Sequence, residues 1–409
     1  MDLVEKIKSK VVAGQYDGVE KVVLAYSGGV DTSVMIPLIQ DVCGAEVVAV
    51  TIGLGQEEYS GSGWKKAKEK AEVLDAKYYF FDATQEFVEG PCWQAVKANC
   101  LYQGTYPNST ALGRPIIVEK LVEVAQQEGA DAIAHGCTGK GNDQVRFDVC
   151  IHSLMPEAKI IAPVRDWNLG RDEEIVWATS QGIHLPVKAH SPYSVDSNIW
   201  GKSSECGPLE NPANEPPEDV FDWVALPENT PDVPETVTVK FEGGQPVGGV
   251  ETLKKLNELG AKHGIGIIDA MEDRTIGLKS REIYECPGST MLLNAHKDLE
   301  KYVFTKEENH FKPFVDKQWA EMVYYGLWFN PLMDSMNAFI DESQKKVTGE
   351  VTLKLFKGQA KVVGRKSGNA IYDHDLIKYS ADSSFDQLHS HGFIKLWGLN
   401  TVTAKKVMV

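Results

Sequence analysis

The run Ser27-Gly28-Gly29-Val30-Asp31-Thr32-Ser33 follows the apolar stretch Val22-Val23-Leu24-Ala25-Tyr26 without a gap. Beyond it, Val34, Met35, Ile36, Leu38 and Ile39 read as the start of a helix. Small residues at a strand-to-helix junction let backbone N–H groups approach an anion closely, and the helix N-terminus adds the positive end of its dipole. Ser27, Thr32 and Ser33 add short hydrogen-bonding side chains. The loop lacks the Lys of a GxxxxGK[ST] motif, which serves transfer at the γ-phosphate. A Ser/Gly/Thr cradle with one acid suits instead the holding of a pyrophosphate leaving group while the α-phosphate is attacked. The plainer alternative is a glycine turn with Asp31 or Thr32 as the helix cap.

Four further segments carry more polar function than packing requires. His135-Gly136-Cys137-Thr138-Gly139-Lys140-Gly141-Asn142-Asp143-Gln144-Val145-Arg146-Phe147 follows a strand pattern and holds three glycines, a second loop of close backbone approach. A helix starting near Asn142 places Asn142 and Arg146 on one face with Asp143 at its border, offering an amide, a guanidinium and a carboxylate to one small zwitterion. An N-cap with an Arg ion pair is the simpler account of the same residues. Tyr102 to Pro115 is a polar loop entering a helix, and Ser194 to Gly207 is dense in hydroxyls, Asn and Glu that suit either an uncharged polar ligand or turns. In Glu272 to Tyr284 acidic and basic residues interleave, the pattern of a solvated helix face. No HxxxH or HExxH spacing occurs, and His135 reads as a strand-end residue rather than a base. The equipment is a set of positioned binding groups, without a side-chain nucleophile.

These loops need a scaffold. Strand patterns at Lys21–Tyr26, Glu46–Ile52, Lys77–Phe81, Asp131–His135 and Lys159–Pro163 alternate with helical stretches near 64–75, 85–99, 115–128, 143–154 and 171–181. Such alternation predicts a doubly wound, mostly parallel sheet that binds ligands beyond the carboxyl ends of its strands. Pro115 is placed at a helix start, where its missing N–H costs nothing, and Pro37 should kink or shorten the helix after the phosphate loop. Residues 186–236, rich in Pro, Asn, Ser and Glu, read as a long excursion between domains. After it come a strand at Thr236–Phe241, a helix at Glu251–His263, a strand over 265–271 and helices over 288–343. Two hairpin strands follow, Lys346–Phe356 and Gln359–Arg365, turning at Lys357-Gly358.

At 409 residues the chain exceeds one core. The patterns divide it into an α/β phosphate-binding part over 1–186, an α+β part over 187–375 and a C-terminal segment over 376–409. A hydrophobic share of 43% and a charged share of 24% are those of a folded globular chain. A net charge of −16 argues against nucleic acid as the partner. Seven scattered cysteines without a CxxC pair fit a reducing cytoplasm, and no apolar run reaches membrane-spanning length. The charged N-terminus, with Leu3, Val4, Ile7 and Val11 at helical spacing, reads as an amphipathic extension and not a signal peptide.

The segment Ala25 to Ser33 resembles the loop of the N-type ATP pyrophosphatase superfamily. Joined to Gly136–Phe147, to Tyr193-Ser194-Val195-Asp196 and to Ile276–Arg281 with Tyr284, it is similar to the argininosuccinate synthase family over nearly the whole chain. The resemblance implies ATP-dependent condensation of citrulline and aspartate through citrullyl-AMP, with release of AMP and pyrophosphate and with Mg²⁺ on the phosphates. It implies an ATP site at Ala25, Tyr26, Ser27, Gly28, Gly29, Val30, Asp31, Thr32 and Ser33, with Ile52 and Gly136 at the nucleotide. Thr138, Asn142 and Asp143 match aspartate positions; Tyr106, Thr110, Asn142, Arg146, Ser194, Ser203, Glu205, Glu272 and Tyr284 match citrulline positions. Arg146 would meet the citrulline carboxylate and the acids its ammonium. The resemblance makes 1–186 an ATP-binding domain, 187–375 a synthetase domain and 376–409 an oligomerisation segment, and it implies no metal ligand from the protein and a homotetramer embraced by the C-terminal tail. Ala111 and Gly113 depart from the usual pattern, and Ala111 removes a hydroxyl that could have reached citrulline. Relatives that thiolate or amidate tRNA need a basic face, catalytic cysteines or a glutaminase partner, and a catalytically silent adenylate binder would not need three intact polar segments.

Overall fold

The computed structural model describes residues 3–9, 11, 15–168, 171–180 and 192–408. Its first sheet contains β1 (Lys21–Ala25), β2 (Glu46–Gly53), β3 (Lys77–Asp82), β4 (Ala132–Ala134) and β5 (Lys159–Ile161). All are parallel, in the order β3-β2-β1-β4-β5. Successive side chains of a strand point to opposite faces, and the two faces here are both apolar. Val23, Val48, Val50 and Ile133 enter one cluster, which also takes residues of the helix Ser109–Glu128. Val22, Leu24, Val47, Ala49, Ala132 and Ala134 enter another, which takes Val34, Met35, Leu38 and Ile39 from the helix Val30–Cys43 and Ile7 from the N-terminal helix Leu3–Lys8. Strands that are apolar on both faces require helices on both, so the doubly wound reading holds. The strand order reverses between β1 and β4, which places the loops after these strands beside one crevice.

The second half adds two antiparallel sheets. One has the order β10-β11-β7-β6, from β6 (Ser194–Asn198), β7 (Gly201–Glu205), β10 (Ile267–Asp273) and β11 (Lys279–Glu285). The other joins β13-β12-β8-β9, from β8 (Glu235–Glu242), β9 (Gln245–Pro246), β12 (Gly349–Phe356) and β13 (Gln359–Lys366). The turn at Lys357-Gly358 has both φ positive, at 45° and 81°, the geometry of a type I′ hairpin turn. Helices Pro287–Val303, Lys306–Tyr324 and Pro331–Gln344 pack beside them. The first of the two large clusters runs from Val23 to Leu355 and so joins both halves of the chain in one interior.

Four expectations change. The helix expected from Pro115 begins six residues earlier, at Ser109, with Pro115 inside it. The helix after the phosphate loop runs unbroken from Val30 to Cys43 through Pro37. Residues 272–284 form a β-hairpin, not a helix face. Within 186–236, where few regular elements were expected, β6 and β7 form a second hairpin; the part at 186–191, with the expected domain boundary, lies outside the described residues. Lys202, Ser203 and Ser204 on β7 are buried. A strand whose buried face is polar shows no apolar alternation, which is why its sequence looked like turns.

Candidate active site

The loop after β1 sits at the carboxyl edge of the parallel sheet. Gly29 takes the N-cap position of the helix Val30–Cys43 with no side-chain cap, so neither Asp31 nor Thr32 caps it. The first-turn N–H groups therefore keep their capacity to bind an anion. Ser27 Oγ lies 3.1 Å from Thr32 Oγ1 and accepts from Gly29 N at 3.3 Å. Gly28 has φ +72°, and a Cβ there would lie 2.8 Å from Ala67 Cβ on the helix Trp64–Val73. The loop can thus pass that helix only as glycine. Lys70 Nζ donates to Gly28 O at 2.6 Å, and Tyr59 Oη donates to Ser27 O at 2.7 Å.

A cavity of about 560 Å³ opens over this loop. Ala25, Tyr26, Ser27, Gly29, Asp31, Thr32, Ile52 and Gly136 line it. Gly28, Val30 and Ser33 do not; Ser33 Oγ instead donates to Gly29 O at 2.7 Å and meets Tyr26 Oη at 3.0 Å, so it shapes the turn. His135 is fully buried, its Nε2 2.8 Å from Asp148 Oδ1, which agrees with a strand-end role.

A second cavity, of about 250 Å³, is lined by Thr138, Asn142, Asp143, Tyr106, Thr110, Arg146, Ser194, Ser203, Glu205, Glu272 and Tyr284, bringing together residues far apart in the sequence. Gly136, Cys137 and Asp196 line both cavities. Asn142 precedes the helix Asp143–Leu154, as its spacing predicts. Its Nδ2 donates to Tyr324 Oη at 2.9 Å, and its Oδ1 accepts from Thr275 N at 2.8 Å. Arg146 Nε donates to Tyr324 O at 2.9 Å and its Nη1 to Asp143 Oδ1 at 2.8 Å. Tyr106 stacks on Tyr284 with centroids 3.8 Å apart and accepts from Thr110 N at 2.9 Å. The hairpin register places Glu272 opposite Ser280 and Ile268 opposite Tyr284, so Glu272, Glu282 and Tyr284 share one face.

Charged groups of both signs that line this cavity keep an open valence. Among the described residues, Arg146 Nη2, Arg274 Nε and Glu272 Oε1 are buried without a hydrogen-bond partner. Orphaned polar atoms of this kind are rare in a folded interior and mark a ligand's place. Arg114, Asp196, Arg274 and Glu282 complete the walls and were not singled out from the sequence as site residues. Arg114 Nη2 donates to Asp143 Oδ2 at 2.6 Å and also pairs with Asp196, tying the two cavities together. Burial opposes the charge of Asp143, but Arg114 and Arg146 outweigh it and hold its carboxyl well below the usual range. Arg274 pairs with Glu205, whose carboxyl burial and then the Glu282 charge push up. Reading 267–285 as strands would have exposed Glu282, two residues before Tyr284, as its same-face neighbour. Ala111 is buried and is not among the residues lining the second cavity.

Residues 21–184 match the family model described as Arginosuccinate synthase N-terminal HUP domain, and residues 193–404 match Arginosuccinate synthase C-terminal domain. The chain belongs to the argininosuccinate synthase family. The argininosuccinate synthase of Pyrococcus furiosus is 52% identical over 95% of this chain and 95% of its own length. That of Bacillus subtilis is 48% identical over 95% of this chain and 98% of its own. A U34-tRNA thiolase from Methanococcus maripaludis aligns in structure at 18% identity with a TM-score of 0.31, over 47% of this chain and 66% of its own, and carries no argument. The activity of the argininosuccinate synthase family, ATP-dependent carbon–nitrogen ligation, is accordingly the activity of this chain. Among the described residues no helix is long and apolar enough to cross a membrane.

Proposed function

We propose that the chain joins L-citrulline to L-aspartate in two steps at the shared wall of its two cavities. The ureido oxygen of citrulline attacks the α-phosphorus of ATP, forming a C–O–P bond as the bond to pyrophosphate breaks. The aspartate amine then attacks the ureido carbon of citrullyl-AMP, AMP departs with the bonding oxygen, and the amine loses its proton. The observation that carries this reading is the pair of orphaned opposite charges, Arg146 Nη2 and Glu272 Oε1, in a cavity that adjoins the phosphate loop. That pair suits the carboxylate and ammonium of one free amino acid.

Ala25 to Ser33, with Ile52 and Gly136, form the ATP site, the uncapped N–H groups meeting the pyrophosphate portion. Tyr106, Thr110, Asn142, Arg146, Ser194, Ser203, Glu205, Glu272 and Tyr284 hold citrulline. Thr138, Asn142 and Asp143 hold aspartate, Asp143 facing its amine. Catalysis then consists of orientation and of charge stabilisation in a partly dehydrated site. The loop's hydroxyls and the Asp31 carboxylate are hard oxygen donors, a chemistry that fits Mg²⁺ arriving on the phosphates. When bound, Mg²⁺ neutralises phosphate charge.

The division near residue 187 into ATP-binding and synthetase domains, the segment 376–409 as an oligomerisation tail, a homotetramer and a cytoplasmic setting belong to the same proposal. Tyr379, Leu388, Leu396 and Trp397 stand exposed on that segment, large apolar side chains of the kind that interfaces cover. All seven cysteines are free, as in a reducing compartment. Purified protein with Mg-ATP and aspartate should release pyrophosphate only when citrulline is present. Release without citrulline, or none with it, would defeat the reading. Truncation after Asp375 should lower the number of chains per particle seen by light scattering, and an unchanged number would remove the tail's role.

A further inference from the structure

Tyr284 Oη lies 2.9 Å from Glu272 Oε2 and 2.9 Å from Glu282 Oε2. A phenol has one proton and can satisfy only one of two carboxylates. The other contact then sets lone pair against lone pair, unless that carboxyl carries a proton and donates it to the phenol oxygen. The setting offers little relief: Glu272 and Tyr284 are each 1% exposed. Resting on the reading of the site as a citrulline pocket, we propose that the Glu272–Glu282 pair holds one extra proton at Tyr284 and surrenders it to solvent when the substrate's α-ammonium enters, making Glu282 a positioning residue that couples citrulline capture to proton release.

The groups facing Glu282 support this assignment. From β10 comes the Glu272 carboxylate, from β7 Glu205, and from the β10–β11 turn Arg274, whose Nη2 donates to Glu282 Oε1 at 3.3 Å. Arg274 is shared, because the same Nη2 also pairs with Glu205. Ser280 Oγ, on the same strand, donates weakly at 3.4 Å. Arg146 and Asp143 from the helix Asp143–Leu154, and the phenols of Tyr106 and Tyr324, close the cavity around the Glu272–Tyr284 contact. One guanidinium thus serves Glu205 and Glu282 and leaves Glu272 without a cation, while Arg146 gives its Nη1 to Asp143. Burial, and after it the Glu272 charge, pushes the Glu282 carboxyl up to about 8. An incoming ammonium supplies the missing positive charge, so the proton is no longer needed. Glu272, with Oε1 open, is then the group that meets the ammonium, and Tyr284 keeps it aimed.

The test is a calorimetric titration of citrulline into the enzyme with the α,β-methylene analogue of ATP bound, in two buffers of different ionisation heat. Free citrulline is a zwitterion near neutrality and releases no proton of its own. At pH 7.5 the wild type should release a substantial fraction of a proton per site, because the carboxyl pair holds its extra proton into that range. Glu282→Gln, whose amide donates permanently to the phenol, should release none. In steady state, kcat/KM for citrulline should rise on the order of tenfold from pH 6.5 to 8.5 in the wild type. That rise should vanish in Glu282→Gln, whereas a purely structural role would lower activity equally at every pH. Citrulline binding without proton release by the wild type overturns the proposal, as does equal release by the variant. A protein that binds no citrulline gives a different signature and removes the citrulline reading itself.

Discussion

Gly28→Ala isolates the phosphate loop from everything else in the site. The native φ of +72° places an alanine in the left-handed region, at a cost of about 1–2 kcal/mol. Its Cβ would also lie 2.8 Å from Ala67 Cβ and 3.3 Å from Ala67 Cα. Ordinary carbon contact is about 3.5–4.0 Å, so the loop must retreat by roughly an ångström, with a further overpacking cost of about 1–3 kcal/mol. The loop backbone is what meets ATP in the proposed site, so kcat/KM for ATP should fall about 30-fold or more, as a loss of at least 2 kcal/mol requires. The assay is citrulline-dependent pyrophosphate release at varied ATP, with thermal midpoints to confirm folding. Adding Ala67→Gly removes the methyl that collides but leaves φ strained, so the double variant should recover part of the loss and remain about fivefold or more impaired. Activity of Gly28→Ala within threefold of wild type would refute the strain argument. An impaired variant that Ala67→Gly leaves unchanged would refute the collision argument.

Asp143→Ala should impair aspartate use far more than citrulline adenylation, checked by transfer of labelled ureido oxygen into AMP against overall product formation; equal loss of both would refute its role. Arg114→Met leaves Asp143 and Asp196 without their common partner, and should destabilise by on the order of 3 kcal/mol, the low end for a broken pair because Asp143 keeps Arg146. The native Asp143 carboxyl is depressed, so its contribution is present above the unfolded pKa of about 3.9 and lost as pH falls through the lower native value. In Arg114→Met that loss should begin at higher pH, measured as thermal midpoint against pH. Lys312 is buried and reaches Glu300 Oε1 and Asp316 Oδ1, both at 2.8 Å. Lys312→Met should therefore cost about 3–5 kcal/mol, read from denaturant unfolding, with little change in KM if the enzyme is kept folded.

The parallel sheet was legible because buried strands between helices must be apolar on both faces, and Val22-Val23-Leu24 and Val47-Val48-Ala49-Val50 say so directly. Asn142 and Arg146 were legible for a different reason, since helical spacing alone puts them on one face. The hairpins were not. On β7 the buried residues include Lys202, which donates to Glu285 Oε2 at 2.8 Å, and on β10 they include Glu272. Strands that turn charge inward violate the alternation by which strands are found: Lys202 is held inside by Glu285, and Glu272 faces the second cavity. Pro115 misled because its most common helical place is the first turn. Arg114 was hidden by its neighbourhood, because only the fold reveals that residues 143 and 196 meet on either side of it.

The single apolar interior that runs from Val23 to Leu355 bears on how the enzyme can move. Two lobes joined by a polar seam can hinge apart like jaws, exposing little when they open. Here a hinge of that kind would wet an oil-filled joint, at about 25 cal/mol for each Å² uncovered. A gap of 400 Å² would therefore cost about 10 kcal/mol, as much as many proteins gain by folding at all. The spacing between the phosphate loop and the second cavity is therefore costly to change by parting the two halves. Motion confined to surface loops uncovers less of that interior and is the cheaper way to admit substrates.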